Sequence, residues 1–323
     1  MILSVFCCHA WNRRNDNSSD DGARQSRNDV IVVETDLGSV AGKRGDHVNA
    51  FLGIPFAQPP INSLRFRPPV PIRPWHPNLL EAFDFGSECL QSSATGGGGE
   101  DDTKVQNEDC LFINIWQPEG AHYESQLPVL LWIYGGAFLH GSTGRPEYIG
   151  DVLAAKNVIV VSCNYRLGAL GFLVSTADGL YGNYGLNDQK LAMQWVQDHI
   201  RNFGGDPDRV TLFGESAGAM SIGLHLLDQH QNILNARHSN FNFRPAKARK
   251  LFHAVILQSN PFGYKYVTLT FFCYMSSDYY YHYYCYCNCY CYCYFHYHYC
   301  YFFTCFVVIG VSLLLLFCFF IIA

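Results

Sequence analysis

Positive charge is missing from the last part of the chain: residues 267–323 contain no lysine or arginine, and Asp278 is their only acidic residue. The same stretch holds nine of the fourteen cysteines and thirteen of the twenty-one tyrosines. Residues 1–266 alone have the composition of an ordinary soluble globular protein. This abrupt change predicts a boundary after Tyr266, so averages over the whole chain mislead.

The chain also lacks an excess of basic residues and a recognisable export signal. Its formal net charge is −5, which gives no reason to expect a nucleic-acid partner. The first residues show no basic n-region, no long apolar core and no convincing cleavage site, so a signal peptide is not predicted. Residues 1–29 are rich in Asn, Asp, Ser and Arg, which predicts an unstructured leader.

Three interpretations of residues 267–323 stay open. Residues 302–323 are apolar for about the 20 residues that span a bilayer, so they predict a possible transmembrane segment. Cysteines alternate mainly with tyrosines from Cys285 to Cys293 and could bind soft metal ions. The third interpretation is translated non-coding sequence, and we favour it. Tyr, Cys, His, Phe and Asn can use codons that lie one base apart, so a T-rich DNA repeat would produce such a stretch.

The remainder of the chain predicts an α/β fold with a mostly parallel central sheet flanked by helices. Short strand patterns between Val30 and Leu52 predict an antiparallel opening. Later apolar runs are typical of parallel strands buried on both faces, and they alternate with helix patterns. The runs are 129–134, 158–165, 210–213 and 254–258, and the helices are predicted at 146–156, 188–203 and 217–227. The polar residues 228–250 predict a long surface loop.

The stretch Gly214-Glu-Ser-Ala-Gly218 is G-x-S-x-G, and it lies between an apolar strand and a helix of small residues. That context defines a nucleophile elbow, a sharp turn that raises the serine hydroxyl at the end of the sheet. A second glycine motif, Tyr134-Gly-Gly-Ala-Phe138, directly follows another buried strand. Each motif alone is consistent with an ordinary tight turn. Together, at two strand ends, they predict a nucleophile with backbone N–H donors for an oxyanion.

These residues resemble the type-B carboxylesterase/cholinesterase family of α/β-hydrolases. The resemblance also covers Glu108–Pro118, Asn164–Gly168 and Gly182–Gln189, and it runs from about Val30 to Lys265. It therefore identifies residues 30–266 as the N-terminal part of an α/β-hydrolase domain, truncated after the half that carries the elbow. A secreted or membrane-associated protein is implied, and no cofactor or metal is expected.

The resemblance implies specific roles for residues of this chain. Ser216 would be the catalytic nucleophile, with an oxyanion hole and an acidic neighbour that lines the gorge. A disulfide and two structural ion pairs are also implied. In the order of these roles, the further residues are Gly136, Ala137 and Ala217; Glu215; Cys89 and Cys110; Arg65 with Glu108; and Arg166 with Asp188.

Two absences refine the functional prediction. Residues 90–109 contain no aromatic side chain, whereas cholinesterases carry a choline-binding Trp in this loop, so a general carboxylesterase is favoured. After Ser216 the only acidic residues are Asp228 and Asp278, whereas the resemblance places the triad acid and histidine beyond residue 323. We therefore expect a small-molecule carboxylic ester as substrate of the ancestral enzyme and negligible triad-dependent activity in this chain. A non-catalytic adhesion protein and a non-functional truncated product remain as alternatives.

Overall fold

A mixed ten-stranded sheet forms the centre of the molecule, which we describe from a computed structural model covering residues 29–91, 105–238, 249–259 and 307–308. Its strands are β1 (Val30–Thr35), β2 (Gly38–Lys43), β3 (Val48–Pro55), β4 (Leu79–Glu81), β7 (Phe112–Pro118), β8 (Leu127–Ile133), β9 (Ile159–Cys163), β12 (Gly205–Glu215), β13 (Ala254–Gln258) and β14 (Val307–Val308). The strand order is β1-β2-β3-β7-β9-β8-β12-β13-β14, and β4 pairs with β2 outside this path. Two small pairs complete the set, β5 (Glu88–Cys89) with β6 (Gln106–Asn107), and β10 (Val174–Ser175) with β11 (Leu180–Tyr181).

The strand pairing changes from antiparallel to parallel at β9. The pairings from β1 through β2, β3 and β7 to β9 are all antiparallel. The two-residue connection between Thr35 and Gly38 can join only antiparallel neighbours. From β9 through β8 and β12 to β13 every pairing is parallel. The predicted antiparallel opening and the predicted parallel α/β section are therefore both confirmed, and they belong to a single sheet.

The helices agree with the predictions less closely. They are α1 (Asp151–Ala154), α2 (Gly168–Phe172), α3 (Tyr184–His199) and α4 (Ala217–His238), with 3-10 turns at Asn62–Leu64, Pro146–Tyr148, Thr176–Asp178 and Ile200–Phe203. The predicted helix at 146–156 is broken in two around Gly150. There the backbone passes so close to Trp116 that an added Cβ would lie 2.7 Å from its ring.

The predicted surface loop at 228–250 is wrong over its first part, because α4 continues to His238. The polar side chains that suggested a loop are held at the helix surface. Asp228 pairs with Lys190 at 2.7 Å, and Gln229 accepts the N–H of Leu251 at 2.7 Å and donates to the carbonyl of Phe252 at 3.1 Å. Residues 239–248 lie outside the described part of the chain.

The parallel strands are buried on both faces, as their apolar runs predict. Ile133, Val161 and Leu212 are fully buried, and Trp132 packs on Phe213 with ring centroids 4.8 Å apart. Fully burying one such aliphatic side chain contributes about 1.5–3 kcal/mol. The core therefore fixes the ends of these strands, where the two glycine motifs emerge.

The described residues contain no helix that is long and apolar enough to cross a bilayer. The predicted leader (apart from Asp29) and the predicted tail (apart from β14) lie outside the described residues, so both stay predictions.

Candidate active site

Ser216 is the only residue between β12 and α4, and its backbone is strained. Its φ of 51° lies in the left-handed region, which costs a non-glycine residue on the order of 1–3 kcal/mol. The strain is held from both sides: the Ser216 N–H donates to the carbonyl of Gln258 at 3.0 Å, and its own carbonyl accepts the N–H of Met220 at 2.9 Å. This is the geometry of a nucleophile elbow.

The two glycines of the elbow have no room for side chains. A Cβ on Gly214 would lie 2.6 Å from the carbonyl oxygen of Ile133 and 2.9 Å from the carbonyl carbon of Gly218. A Cβ on Gly218 would collide with the same oxygen of Ile133. Because β12 and β8 are parallel neighbours that pair Gly214 with Ile133, the elbow and the end of β8 lie side by side.

The glycine turn (Tyr134–His140) leaves the end of β8 directly beside Ser216. A Cβ on Gly135 would lie 3.1 Å from the Cβ of Ser216. Three consecutive residues, Gly136–Phe138, have φ values of 112°, 54° and 63°. The carbonyl of Gly136 accepts the N–H groups of Leu139 and His140 at 2.9 and 3.1 Å, so the turn closes on itself.

Three backbone N–H groups at this place are left free. Within the described part of the chain, the N–H groups of Gly136, Ala137 and Ala217 donate to no protein acceptor. Ala217 is the first residue of α4, where an N–H has no partner inside the helix. The three residues predicted to bind an oxyanion therefore have N–H groups without a protein acceptor, and they lie in the elbow and in the turn beside it.

Aromatic contacts support the glycine turn at its first residue, Tyr134, and at Phe138. The rings of Tyr134 and Tyr165 stack at 4.5 Å, and each hydroxyl donates to the other residue's carbonyl, at 3.2 and 2.9 Å. Burial raises the pKa of both tyrosines well above its ordinary value, so they remain neutral donors. Phe138 packs on Phe172 at 5.1 Å, and its carbonyl accepts the N–H of Gly168 at 2.8 Å.

Glu215 belongs to the elbow, and its side chain faces the glycine turn. Its Oε2 would be 2.8 Å from a Cβ on Gly135, so the carboxyl faces the turn. Partial burial raises the pKa of Glu215, and its charge adds to the burial that raises the pKa of Tyr148. Glu215 therefore gains a proton more readily than an exposed glutamate does.

The other residues implied by the resemblance belong neither to the elbow nor to the glycine turn. Cys89 and Cys110 form a disulfide. Arg65 holds Glu108 with two hydrogen bonds of 2.6 and 2.7 Å in a partly exposed pair, which lowers the pKa of Glu108.

Arg166 and Asp188 are paired in the interior, with side chains 4% and 0% exposed. The side chain of Arg166 donates to the two oxygens of Asp188 at 2.6 and 2.8 Å, and its backbone N–H donates at 3.0 Å. Burial raises the pKa of Asp188, while these three hydrogen bonds oppose that shift. The pair ties the segment after β9 to helix α3.

The acidic residue and histidines that follow Ser216 and are described all lie elsewhere. Asp228 is eleven residues along α4 from Ala217, about 17 Å at 1.5 Å per residue, and binds Lys190. The backbone N–H of His253 donates to the carbonyl of Val210. Val210 precedes Ser216 by six residues of extended strand, a distance of about 20 Å. His230 is exposed on α4, two residues past Asp228. His282, His296, His298 and Asp278 lie outside the described residues.

His225 belongs to a buried chain of hydrogen bonds that the sequence did not predict. Its Nε2 lies 2.9 Å from Oε1 of Gln189, whose Nε2 donates to Ser221 at 3.2 Å. Ser221 in turn donates to the carbonyl of Ala217 at 2.9 Å, the i−4 bond that a helical serine can make. Since Gln189 uses its Nε2 as a donor, its Oε1 accepts from a neutral His225. Burial lowers the pKa of His225 to about 4, so the ring stays neutral, and its Nε2 is bonded to Gln189.

His225 predicts an acid-dependent loss of stability. Its pKa falls from 6.5 to about 4 on folding, so the unfolded chain binds the extra proton between these values. We expect stability to be complete above pH 6.5 and to fall by about 3 kcal/mol as the pH approaches 4, at about 1.4 kcal/mol per pKa unit. Urea unfolding across this range should show a smaller loss in His225→Gln. The exposed histidine variant His122→Gln is the control, and an unchanged pH profile in His225→Gln would contradict the assignment.

The chain is similar to several known proteins. The model of the carboxylesterase family matches residues 29–263. The chain is 47% identical over 210 residues to an acetylcholinesterase of Electrophorus electricus, covering 61% of this chain and 33% of that protein. It is 46% identical over 210 residues to a fumonisin B1 esterase of Sphingopyxis macrogoltabida, covering 63% and 38%. A thermophilic PNB esterase structure superposes with a TM-score of 0.57 at 38% identity, covering 69% of this chain and 43% of that one. The chain thus spans about two fifths or less of the length of these curated relatives.

Proposed function

The chain belongs to the carboxylesterase family, and we propose on that premise that Ser216 is the nucleophile of a carboxylic ester hydrolase. The observation that carries the proposal is the strained serine at φ 51°, placed beside a turn with free N–H groups. A binding or adhesion protein would gain nothing from maintaining that strain. Strain of this kind is concentrated at functional sites.

The reaction would follow the acyl-enzyme route. The Oγ of Ser216 attacks the ester carbonyl carbon while a base accepts the hydroxyl proton, and the carbonyl oxygen becomes an oxyanion. The N–H groups of Gly136, Ala137 and Ala217 would hydrogen-bond to that oxyanion. When the intermediate collapses, the alcohol leaves with a proton and the acyl group stays on Ser216 until water releases the acid.

The base would come from outside the described residues. The described histidines and acidic residue that follow Ser216 are either bonded into the structure or far along α4 and β13. Strand β13 ends beside the nucleophile, because Gln258 pairs with Glu215 and accepts the N–H of Ser216. Chain added after Gln258 would therefore leave the sheet at the site that needs a base.

We favour a general small-molecule carboxylic ester over choline esters. The segment between Cys89 and Cys110 has no aromatic side chain to hold a quaternary ammonium group. The relatives include both acetylcholinesterases and other esterases, so likeness alone does not choose between them. The disulfide favours an oxidising compartment, in keeping with a secreted or membrane-associated protein.

Binding of phenylboronic acid tests the nucleophile without requiring the base. At equilibrium the Oγ of Ser216 forms an O–B bond, its proton passes to the buffer, and trigonal boron becomes a tetrahedral anion. We expect boron NMR to show the tetrahedral adduct in the native protein and not in Ser216→Ala. An adduct of equal strength in both proteins would contradict the proposal.

A further inference from the structure

The side-chain amide of Gln91 forms a two-bond pair with the backbone of Gly141. The N–H of Gly141 donates to Oε1 of Gln91 at 2.7 Å, and Nε2 of Gln91 donates to the carbonyl of Gly141 at 3.0 Å. A primary amide carries the same donor and acceptor as a peptide group. The pair therefore fixes both the position and the rotation of Gly141, as a rung of a β-ladder would.

Gly141 is the residue at which the glycine turn closes. Its φ is 127°, and a Cβ there would lie 2.6 Å from the ring of Tyr134 and 2.8 Å from the carbonyl oxygen of Gly135. The residue after the turn thus contacts the residues that begin it. Any displacement of Gly141 is passed to Gly135 by direct contact, and to Gly136 through its hydrogen bond with His140.

Gln91 is anchored in its own segment. Its N–H donates to Oε1 of Gln106 at 3.1 Å, and its Nε2 also donates to the carbonyl of Cys89 at 3.1 Å. Cys89 is held covalently by Cys110. Beside this pair, Ser142 donates to Glu88 at 2.6 Å. The disulfide-bearing segment is therefore attached to the far end of the glycine turn at two adjacent residues.

Hydrogen bonds hold the turn at its start, in its middle and at its end. Strand β8 holds its start, Gly168 holds its middle through the carbonyl of Phe138, and Gln91 holds its end. The free N–H groups of Gly136 and Ala137 lie between the first attachment and the last. At the end of the turn Glu88 accepts from Ser142, but it is Gln91 that bonds Gly141, the residue packed against Tyr134 and Gly135.

We propose that Gln91 is a positioning residue that holds the N–H groups of Gly136 and Ala137 where the oxyanion forms. The inference rests on the proposed function of Ser216. Gln91 has no contact with the reacting atoms and acts through Gly141. Its effect would be large because a misplacement of about 1 Å in a reacting site can cost about a hundredfold.

The test compares phenylboronic acid binding in Gln91→Met and the native protein, since one boronate oxygen takes the oxyanion position. Methionine keeps the length of glutamine and loses both hydrogen bonds. We expect binding to weaken by about tenfold to a hundredfold. Gln91→Asn is the second variant, because it stays polar but is too short to span both bonds. The matched control is Gln58→Met, which removes a glutamine bonded at 3.2 Å to the carbonyl of Pro71.

The outcomes separate the two proposals. A Ser216-dependent adduct that is weakened in Gln91→Met and Gln91→Asn, but not in Gln58→Met, supports the positioning role. Equal binding by a folded Gln91 variant and the native protein overturns it and leaves Ser216 as the nucleophile. Equal weakening in Gln58→Met also overturns it, because the effect is then not specific to the turn. No Ser216-dependent adduct in the native protein overturns the proposed function itself. Urea unfolding confirms that each variant is folded under the binding conditions.

Discussion

Esterase activity that depends on Ser216 is expected when residues 29–258 of this chain replace the equivalent part of the thermophilic PNB esterase. The junction after Gln258 is the end of β13, where the chain leaves the sheet beside the nucleophile. The two structures superpose with a TM-score of 0.57 at 38% identity. Joining them would supply the residues after β13 that the proposed mechanism needs. In the chimera, Ser216→Ala should lower kcat by about a millionfold, as removal of a serine nucleophile does elsewhere.

Hydrolysis of p-nitrophenyl acetate measures this effect directly. The control is Ser39→Ala, a serine on β2 that donates to Glu34 far from the elbow and whose loss should leave kcat unchanged. Residues 1–323 on their own should show no Ser216-dependent hydrolysis, because His225 is bonded to Gln189 and the described His230 is exposed thirteen residues along α4 from Ala217. A chimera with full activity in Ser216→Ala would contradict the nucleophile assignment. Hydrolysis by residues 1–323 that Ser216→Ala abolishes would contradict the proposed need for further chain.

The elbow and the glycine turn were predictable because their sequence constraints are local. Gly214 and Gly218 are small since the carbonyl of Ile133 passes within contact of both, and such crowding leaves a visible G-x-S-x-G pattern. The positive φ values from Gly136 to Phe138 similarly demand a glycine-rich sequence in that turn. Continuous apolar runs identified the buried parallel strands for the same reason, since the sequence of each strand reflects its own burial.

The pairing of Gln91 with Gly141 and the hydrogen bond between His225 and Gln189 were not predictable, because the partners are distant in the chain. Gln91 and Gly141 are 50 residues apart, and Gln189 and His225 are 36 residues apart. A glutamine that bonds a backbone carbonyl leaves no sequence pattern, since any carbonyl can accept. The extension of α4 was missed for a related reason: Asp228 and Gln229 are polar because they face Lys190 and the backbone at Leu251, not because the helix ends.

Breaking the ion pair of Arg166 and Asp188 is expected to destabilise the fold by about 3–5 kcal/mol, the cost of leaving one buried charge without its partner. In Arg166→Met, the carboxylate of Asp188 loses the hydrogen bonds of 2.6 and 2.8 Å from the guanidinium while staying fully buried. The burial that raises the pKa of Asp188 is then less opposed, so we expect Asp188 to bind a proton at higher pH. Urea unfolding of Arg166→Met and Asp188→Asn measures both losses.

The double variant shows whether the loss comes from the broken pair or from poorer packing. If an unpaired charge is the cause, Arg166→Met with Asp188→Asn should be more stable than the sum of the single losses predicts. Lys190→Met is the matched control, since Lys190 pairs with Asp228 at a similar 2.7 Å but both side chains are partly exposed. Its loss should stay below about 1 kcal/mol because solvent screens the pair. Additive losses in the double variant would show that packing dominates. Arg166 lies in the chain between two residues that contact the glycine turn: the ring of Tyr165 stacks on Tyr134, and the N–H of Gly168 donates to the carbonyl of Phe138. The same variants should therefore also weaken boronate binding at Ser216.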